Sequence, residues 1–217
     1  MAEQELGPLP AGRHGFSHEQ VAHNQRERLI AGLATAVAEH GYQAVTITHI
    51  TKEAKVSRRV FYENFEGKEE CFLAAFDVVV EHIRELAAEA VAPIADWPRR
   101  AIAASRAVLV FLASEPDLAR LCLVESQGAS PAVAARFHEA VHEAVPLLEE
   151  GRAERERSRE LPASTEESTI GALVMLASRK VAAGEAEQLG DLLPDFVEFI
   201  LAPYLGAEEA ARLATSP

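Results

Sequence analysis

The chain has 217 residues, of which 48% are hydrophobic and 25% charged, and its formal net charge is −13. This composition predicts a globular protein with either one domain of ordinary size or a small domain joined to a larger one. No apolar run approaches the roughly 18 residues that a membrane-spanning helix requires, so no membrane partner is expected.

The cysteines and the first residues bear on the location of the protein. Cys71 and Cys122 each lie inside an apolar helical pattern, which favours neither a disulfide framework nor a CxxC metal site. The first 15 residues have no apolar core and do not predict a secretory signal. We therefore expect a protein of the reducing cytoplasm.

The charge is unevenly distributed along the chain. Eight of the 21 Lys and Arg residues and eight of the 34 Asp and Glu residues lie within residues 1–68, which are therefore formally neutral. Residues 69–217 contain the other 13 basic and 26 acidic residues and hence the whole net charge of −13. This asymmetry predicts two segments that meet different partners.

The sequence pattern predicts helices and no strand, beginning after a flexible arm at residues 1–18. From Ser17, apolar residues recur at steps of three and four up to Gly41, which suits a helix C-terminus. Two short helices follow, and Thr46 and Ser57 are well placed as their N-caps. The helix that ends near Gly41 and these two short helices, which are joined to each other by a tight turn, form a helix-turn-helix unit.

A series of longer helices is predicted from Lys68 onward. In the first, apolar residues follow steps of four and three, which is typical of an amphipathic helix. Asp96 opens the next helix, with Pro98 in its first turn. Further helices are expected after the break at Ser114-Glu115-Pro116: a short one to about Glu125, one from Pro131 to about Glu156 with a kink at Pro146, Glu166–Ala183 behind a capping box of Ser164 and Glu167, and Leu189–Tyr204.

A basic cluster stands out in the acidic chain, because Lys55, Arg58 and Arg59 lie within five residues of one another. With Ser57 as N-cap, the two arginines are the first residues of the second helix of the helix-turn-helix, where positive charge is unfavourable. A DNA partner would make positive charge favourable at this position. Helix N-termini bind phosphate, arginine reads guanine through two hydrogen bonds, and this helix enters the major groove in such units. The alternative is that both arginines are plain surface residues.

The segment from about Arg26 to Leu73 resembles the DNA-binding domain of the tetracycline-repressor (TetR) family of transcriptional regulators. The family's pattern is a glycine and an aromatic, a threonine that opens the second helix, an Ile-Ala-x-x-Ala-Gly-Val-Ser core, an aromatic pair, a Phe and a Lys. Here these positions are Gly41, Tyr42, Thr46, Ile50, Ala54, Val56, Ser57, Phe61, Tyr62, Phe65 and Lys68. Lys55 replaces the usual turn glycine, which implies a steric cost of about 1 kcal/mol if φ is positive there. Thr51 and Asn64 replace a usual Ala and a frequent His.

The resemblance implies a set of DNA contacts. Thr46, Tyr62 and Lys68 are expected to hold phosphates, and Arg58, Arg59 and Val60 to face base edges. Phe61 and Phe65 are expected in the core. The complete set of predicted DNA-binding residues is Thr46, Thr48, Lys55, Ser57, Arg58, Arg59, Val60, Tyr62, Asn64 and Lys68.

The chain is therefore predicted to be an all-α protein with two domains. Residues 19–66 form the three-helix DNA-binding domain, residues 67–205 a larger helical domain, and residues 206–217 a tail. A helix-turn-helix does not need so large a partner merely to fold, so the larger domain is expected to enclose an apolar cavity and to supply a dimer surface. No cofactor is expected.

Residues of the larger domain are assigned on weaker grounds. The candidate effector-binding residues are polar, aromatic or bulky groups on otherwise apolar helical faces, namely His82, Arg106, Glu125, Phe137, Val141, Met175 and Arg179. By resemblance, the last two predicted helices pair with their copies in a four-helix dimer interface, and the residues expected there are Leu173, Leu176, Phe196, Phe199 and Ile200. The alternative is that these apolar residues belong to the core of one subunit.

The mechanism that the resemblance implies is a two-state switch. A dimeric repressor binds a palindromic operator, and a largely apolar small molecule shifts the helix that starts at Lys68 and lowers the affinity for DNA. Such a ligand must favour the state that does not fit DNA. A regulator of the same build that needs no ligand, or an activator, remains an alternative.

The strongest enzyme signal is the segment HEAVH, a match to H-E-x-x-H. On a helix, His138 and His142 lie one turn apart and can bind zinc, with Glu139 as a general base. A zinc hydrolase or a metal sensor is thus a further alternative. We expect no enzyme, because such a hydrolase also needs a third ligand and a sheet, and the sequence offers no strand.

Overall fold

The structure, a computed structural model, describes residues 18–154 and 156–215, and these residues form helices and no strand, as the sequence predicts. The predicted N-terminal arm lies outside the described residues except for His18. The α-helices are α1 (His18–His40), α2 (Ile47–Glu53), α3 (Arg58–Asn64), α4 (Lys68–Val91), α5 (Trp97–Ser114), α6 (Pro116–Arg120), α7 (Ser126–Ala129), α8 (Pro131–His142), α9 (Val145–Glu149), α10 (Thr165–Ala182), α11 (Leu193–Leu205) and α12 (Ala207–Ala214). A π-helical turn covers Leu121–Glu125, and 3-10 segments cover Glu150–Ala153, Glu156–Glu160 and Ala186–Leu192.

The chain divides into two compact units, Met1–Val78 and Val79–Pro217. The predicted domain boundary, between residues 66 and 67, lies just before α4, whereas the division between the units falls inside that helix. None of the helices formed by the described residues is long and apolar enough to cross a membrane.

The first unit is built on short helices with side-chain caps. The Thr46 hydroxyl accepts a hydrogen bond from His49 N at 3.3 Å, and the Ser57 hydroxyl accepts one from Val60 N at 3.2 Å. Both predicted N-caps are thereby confirmed. The core contains Phe61 and Phe65, as expected, together with apolar residues of the other helices, among them Leu29, Leu33, Val37, Ile50, Phe72 and Phe76.

The second unit packs α5, α10 and α11 around an apolar core. Asp96 caps α5 by accepting a hydrogen bond from Arg99 N at 3.2 Å, as predicted. Trp97 is buried, and its indole donates to Leu147 O at 3.1 Å. A Cβ at Gly151 would lie 2.5 Å from the indole, so only glycine fits this close approach. The single tryptophan thus holds the 3-10 segment against the core.

Three expectations for the helical domain are wrong in detail. The helix predicted from Pro131 to about Glu156 ends at His142, because Pro146 cannot donate to the carbonyl four residues earlier and its ring clashes there. Ser164 precedes α10, but its side chain makes no capping hydrogen bond. The predicted tail contains α12, which begins after Gly206 takes φ +91° and buries Ala210 completely.

Candidate functional site

The turn between α2 and α3 contains a strained residue at the position where the family resemblance places glycine. Lys55 has φ +52° and is the single non-glycine residue with positive φ among those the structure describes. Its amide donates to Lys52 O at 3.1 Å, and the next amide, of Val56, donates to Thr51 O at 3.0 Å. These two bonds form a Schellman motif that ends α2, and they confirm that the turn needs a left-handed residue.

The two arginines of the basic cluster are exposed in the first turn of α3. They follow the N-cap Ser57 directly. The Arg59 side chain is 86% exposed, and its Nε donates to the Glu63 carboxylate at 2.8 Å one helical turn later. This hydrogen bond with Glu63 raises the pKa of Arg59. The Nε of Arg59 is thus already paired with an anion, although its other guanidinium N–H groups can still donate, whereas Arg58 faces solvent.

The other predicted DNA-binding residues surround these arginines within the first unit. Exposed side chains are those of Thr46, Thr48, Lys55, Ser57 and Tyr62, whereas Val60 and Asn64 are half-buried. The Asn64 amide donates to Val60 O at 2.8 Å. Thr46 and Ser57 accept hydrogen bonds as caps, but each hydroxyl proton remains available to donate to a phosphate oxygen.

Lys68 has a structural role that the sequence did not indicate. Its ammonium group donates to Tyr42 O at 2.8 Å and to Val45 O at 3.0 Å, and it lies 4.3 Å from the centre of the Tyr42 ring. Burial lowers the pKa of Lys68. The contacts fasten the start of α4 to the connection between α1 and α2, so any phosphate contact of Lys68 would depend on its remaining donor.

Sequence analysis missed two arginines of α1 that support the helix-turn-helix. Arg28 is 7% exposed, and its Nη2 donates to Ala54 O at 2.5 Å and to Lys55 O at 2.7 Å. Arg26 lies 4.5 Å from the centre of the Phe65 ring and donates to a backbone carbonyl at the end of α3. One signal was available: Arg28 shares a helix face with Gly32, and an arginine on a buried face must find buried acceptors.

Comparison with known proteins agrees with this geometry. Residues 29–75, which span α2, α3 and most of the contacts described above, match the family model "Bacterial regulatory proteins, tetR family". Over these residues the chain is similar to the regulatory proteins of that family. The chain is 26% identical over 135 residues to the HTH-type transcriptional activator FasR of Mycolicibacterium smegmatis, and this match covers 62% of each protein, less than two thirds of the relative.

Solved structures share the fold of this chain. The fatty acid degradation regulator FadR from Bacillus halodurans has a TM-score of 0.72 and 18% identity, and the match covers 83% of this chain and 94% of that one. The regulator FadR from Bacillus subtilis, in complex with stearoyl-CoA, has a TM-score of 0.66 and 18% identity over 83% and 98% of the two chains. A gamma-butyrolactone receptor has a TM-score of 0.64 and 18% identity, and the match covers 89% of this chain and 95% of that one.

The predicted effector-binding residues of the second unit differ widely in burial. Phe137 is buried, and Glu125 is nearly buried beside Arg120, whose Nη2 lies 3.0 Å from its carboxylate. Val141 is half-buried, and His82 is exposed with its ring against Phe111. Like His82, three more of the predicted lining residues are exposed, namely Arg106, Met175 and Arg179. On α10 the buried stripe runs through positions 173, 177 and 181, so residues 175 and 179 face away from the core.

The predicted dimer residues also divide between core and surface. Leu173, Phe196 and Ile200 are buried in the core of the second unit, and Leu176 packs against that core. This burial agrees with the alternative for Leu173, Phe196 and Ile200, that they belong to the core of one subunit, whereas Leu176 is half-buried. Phe199 alone is exposed, at 51%.

The HEAVH segment lies on the surface of α8. His138, Glu139 and His142 are all exposed, and α8 ends at the second histidine. Among the residues that the structure describes, no three His, Cys, Asp or Glu side chains come together as a group that could hold a metal ion. The segment does not form the buried cleft that a zinc hydrolase requires.

Proposed function

We propose that the protein is a cytoplasmic, ligand-responsive transcriptional regulator that binds DNA as a homodimer through α3. The observation that carries this proposal is the pair Arg58 and Arg59, which are exposed at the first two positions of the second helix of a TetR-type helix-turn-helix. In a chain with net charge −13, an exposed basic cluster on a neutral segment favours a polyanionic partner. Residues 19–66 serve as the DNA-binding domain and residues 67–205 as the effector and dimerisation domain.

Arg58 and Arg59 are proposed to make different contacts with DNA, because only Arg59 is paired with a carboxylate of α3. Arg58 faces solvent and is proposed to read a base edge, where an arginine can donate two hydrogen bonds to guanine. Arg59 is proposed to make a weaker contact, because Glu63 holds its Nε and a full contact exchanges this partner for DNA. Thr46, Thr48, Lys55 and the other polar residues of the predicted set supply phosphate contacts, which position the helix without reading sequence.

Two exposed apolar side chains support a dimer formed through α10 and α11. Met175 is 66% exposed and Phe199 51% exposed, and they lie on the two helices that the family resemblance assigns to the dimer interface. A two-fold symmetric dimer presents two copies of α3 and therefore requires an inverted repeat in the DNA. Met175, which the sequence analysis assigned to an effector pocket, is reassigned to this surface.

The effector is proposed to be a largely apolar small molecule bound in the second unit. The FadR structure from Bacillus subtilis contains stearoyl-CoA, and another structural relative is a gamma-butyrolactone receptor, so an acyl-CoA and a butyrolactone are suitable first probes. Glu125, Phe137, Val141 and His82 remain the candidate contacts. Binding lowers the affinity for DNA if the ligand favours the conformation that does not fit the operator.

The direction of regulation is either repression or activation. Repression was expected from the family mechanism, but the relative FasR is a transcriptional activator. We keep repression as the working proposal. A reporter gene placed behind the selected DNA site distinguishes the two, because a repressor lowers and an activator raises expression when the protein is present.

The test of DNA binding is selection from a random DNA pool by the purified full chain, followed by sequencing. The expected result is an inverted repeat. Arg58→Ala should weaken enrichment of that repeat and relax its base preference at one position of each half-site, whereas the control Arg99→Ala should leave the repeat unchanged. Arg99 is also an exposed arginine in the first turn of a helix, but it belongs to α5 in the second unit. Failure of the wild-type chain to enrich any sequence would contradict the proposed function.

Assembly and effector binding are tested with the same protein. Phe199→Glu should yield monomers in sedimentation, whereas Leu147→Glu, a change at a similarly exposed residue, should leave the dimer intact. Stearoyl-CoA and a gamma-butyrolactone are then titrated against the complex with the selected DNA. Release by one of them identifies the effector class. A wild-type monomer in sedimentation would contradict the dimer and the inverted repeat together.

A further inference from the structure

The conformation at Lys55 is unfavourable for a lysine. With φ +52°, Lys55 is in the left-handed region, where a Cβ is crowded by the backbone and glycine is preferred. Two residues later Ser57 caps α3, and Arg58 and Arg59 follow. Any relaxation of Lys55 toward ordinary φ values would therefore change the direction in which the chain enters the reading helix.

The compensating contact comes from α1, 27 residues earlier in the chain. Arg28 donates two hydrogen bonds from one nitrogen, to the carbonyls on either side of the strained position, Ala54 O and Lys55 O. Both carbonyls belong to the end of α2, where backbone acceptors have no partner within the helix. Beside this contact, a Cβ at Gly32 would lie 2.6 Å from Ala54 N, so α1 and the turn are in close backbone contact.

We infer that Arg28 is a positioning residue for DNA reading. It holds the turn in the left-handed conformation at Lys55 and thereby sets the direction of α3, although its own side chain is buried and reaches no DNA. The inference rests on the proposed function, because it assigns to Arg28 a role in the DNA contact made by Arg58. A lysine at position 55 keeps a positive charge beside the basic cluster, and Arg28 makes that lysine structurally acceptable.

A purely stabilising arginine would behave differently. Loss of such a residue would lower the free energy of unfolding without changing how well the folded protein distinguishes one DNA sequence from another. A positioning arginine acts on the population of one turn conformation. Lys55→Gly removes the intrinsic cost of the left-handed turn, so it should make that conformation, and the reading of DNA, independent of Arg28.

The first measurement follows the turn itself by amide hydrogen exchange, and it needs no DNA. The reporter is the Val56 amide, which donates to Thr51 O only when the left-handed turn is formed. In Arg28→Met, its exchange should be roughly tenfold faster than in the wild type. In the double variant with Lys55→Gly, it should return to the rate of Lys55→Gly alone. Arg28→Lys, which keeps a charged donor, should retain most of the protection.

The second measurement is the ratio of affinities for the selected inverted repeat and a scrambled duplex. Arg28→Met should lower this ratio roughly tenfold and leave the affinity for the scrambled duplex unchanged. Placed in the Lys55→Gly background, the same change should alter the ratio less than about threefold. If Arg28→Met does not fold, Arg28→Gln replaces it in both measurements with the same expectations.

Two results would overturn the inference: unchanged Val56 exchange in a folded Arg28→Met or Arg28→Gln protein, or a double variant whose exchange and sequence discrimination remain as poor as those of the Arg28 variant alone. The failure of the proposed function is distinguishable from both. If the wild-type chain enriches no DNA sequence, the regulator proposal fails, whereas the exchange measurement still decides whether Arg28 maintains the turn.

Discussion

The two units of the molecule use arginine in opposite ways. In the first, Arg58 and Arg59 lie at the surface of a short helix. Among the described residues, only the Glu63 carboxylate is bonded to either of them, and it accepts from Arg59. In the second, Arg152 donates to Glu166, a carboxylate with 2% exposure, and to the carbonyls of Leu161 and Pro162. Arg58 and Arg59 are available to an incoming polyanion, whereas the guanidinium of Arg152 is held by acceptors of its own chain. Function and stability are therefore expected to respond to different arginines.

The largest effect is expected from Glu166→Ala in the second unit. This carboxylate accepts hydrogen bonds from Arg152 at 2.6 Å and from the Tyr204 hydroxyl at 2.8 Å. Its loss leaves a charge and a buried hydroxyl without their acceptor, and we expect the free energy of unfolding to fall by about 3 kcal/mol. Urea unfolding followed by the fluorescence of Trp97 measures it, because that ring contacts Tyr204 with 4.9 Å between centres.

The same variant should change the response to acid. Burial alone would raise the pKa of Glu166, but the hydrogen bonds from Arg152 and Tyr204 outweigh it and hold that pKa below its ordinary value of 4.5. Stability from this group is present above pH 4.5 and is lost as the pH falls through the folded-state pKa, so Glu166→Ala should flatten the decline of stability in that range. The neighbouring exposed residue gives a matched control, and Glu167→Ala should change neither property.

Comparison of the two units also explains how far the sequence could predict the fold and the site. The caps at Thr46 and Ser57 were predictable because they depend on contacts within a few residues, and the strain at Lys55 followed from the family resemblance, which places a glycine there. The contacts of Arg28, Lys68 and Glu166 were not, because their partners lie up to 38 residues away along the chain. A local pattern shows that a polar side chain is present, but not which distant carbonyl or hydroxyl it meets.

The predictions for the second unit that were wrong have a different physical cause. A helix in a bundle has apolar residues toward several neighbours, and periodicity cannot distinguish a core face from an interface. Leu173 and Ile200 were therefore expected at a dimer surface and are buried, whereas Met175 was expected inside and is exposed. Helix α12 was missed because the apolar residues of its segment, AEEAARLA, are alanines except for one leucine, and such small side chains give a weak signal of burial.

The second largest effect is expected from Arg58→Ala, on DNA binding and not on stability. Affinity for the selected duplex should fall roughly 5- to 100-fold, with relaxed base preference at one position of each half-site. Thermal stability should stay the same or rise slightly, because a positive charge is removed from a helix N-terminus. Affinity measurements on selected and scrambled duplexes over a range of salt concentrations test this, with Arg99→Ala as control. Wild-type affinity in the Arg58 variant would mean that α3 does not read DNA.

A smaller effect is expected from Lys68→Met, which should lower both stability and the affinity for DNA. The variant removes two hydrogen bonds to the carbonyls of Tyr42 and Val45, so the first unit should lose roughly 1–2 kcal/mol of stability against local unfolding. Amide exchange of α1 and α2 measures this loss. Binding to selected and scrambled duplexes should weaken equally. The control is Lys52→Met, a change at an exposed lysine of α2, which should leave amide exchange unchanged. Unaltered exchange in Lys68→Met would restrict that lysine to contacts outside the chain.

The smallest effect is expected from Glu63→Gln, and it should strengthen DNA binding. The change removes the carboxylate that accepts the hydrogen bond from Arg59 and also removes a negative charge from the helix proposed to face phosphates. Stability should hardly change, because an exposed ion pair of this kind contributes little. Affinity for the selected duplex should rise roughly two- to threefold at low salt, with a steeper salt dependence.

A double-mutant cycle decides whether this gain comes from Arg59. If Glu63 limits binding by occupying Arg59, the gain from Glu63→Gln should largely disappear in an Arg59→Ala background, because no guanidinium remains to be released. If the carboxylate acts only by repelling phosphates, the gain should be the same in both backgrounds. Equal gains would therefore contradict the exchange of partners proposed for Arg59, and weaker binding by Glu63→Gln alone would show that the ion pair orders α3 for DNA. The expected result instead makes Glu63 an internal competitor for the same arginine that DNA requires, a competition with no counterpart in the saturated contacts of Arg152.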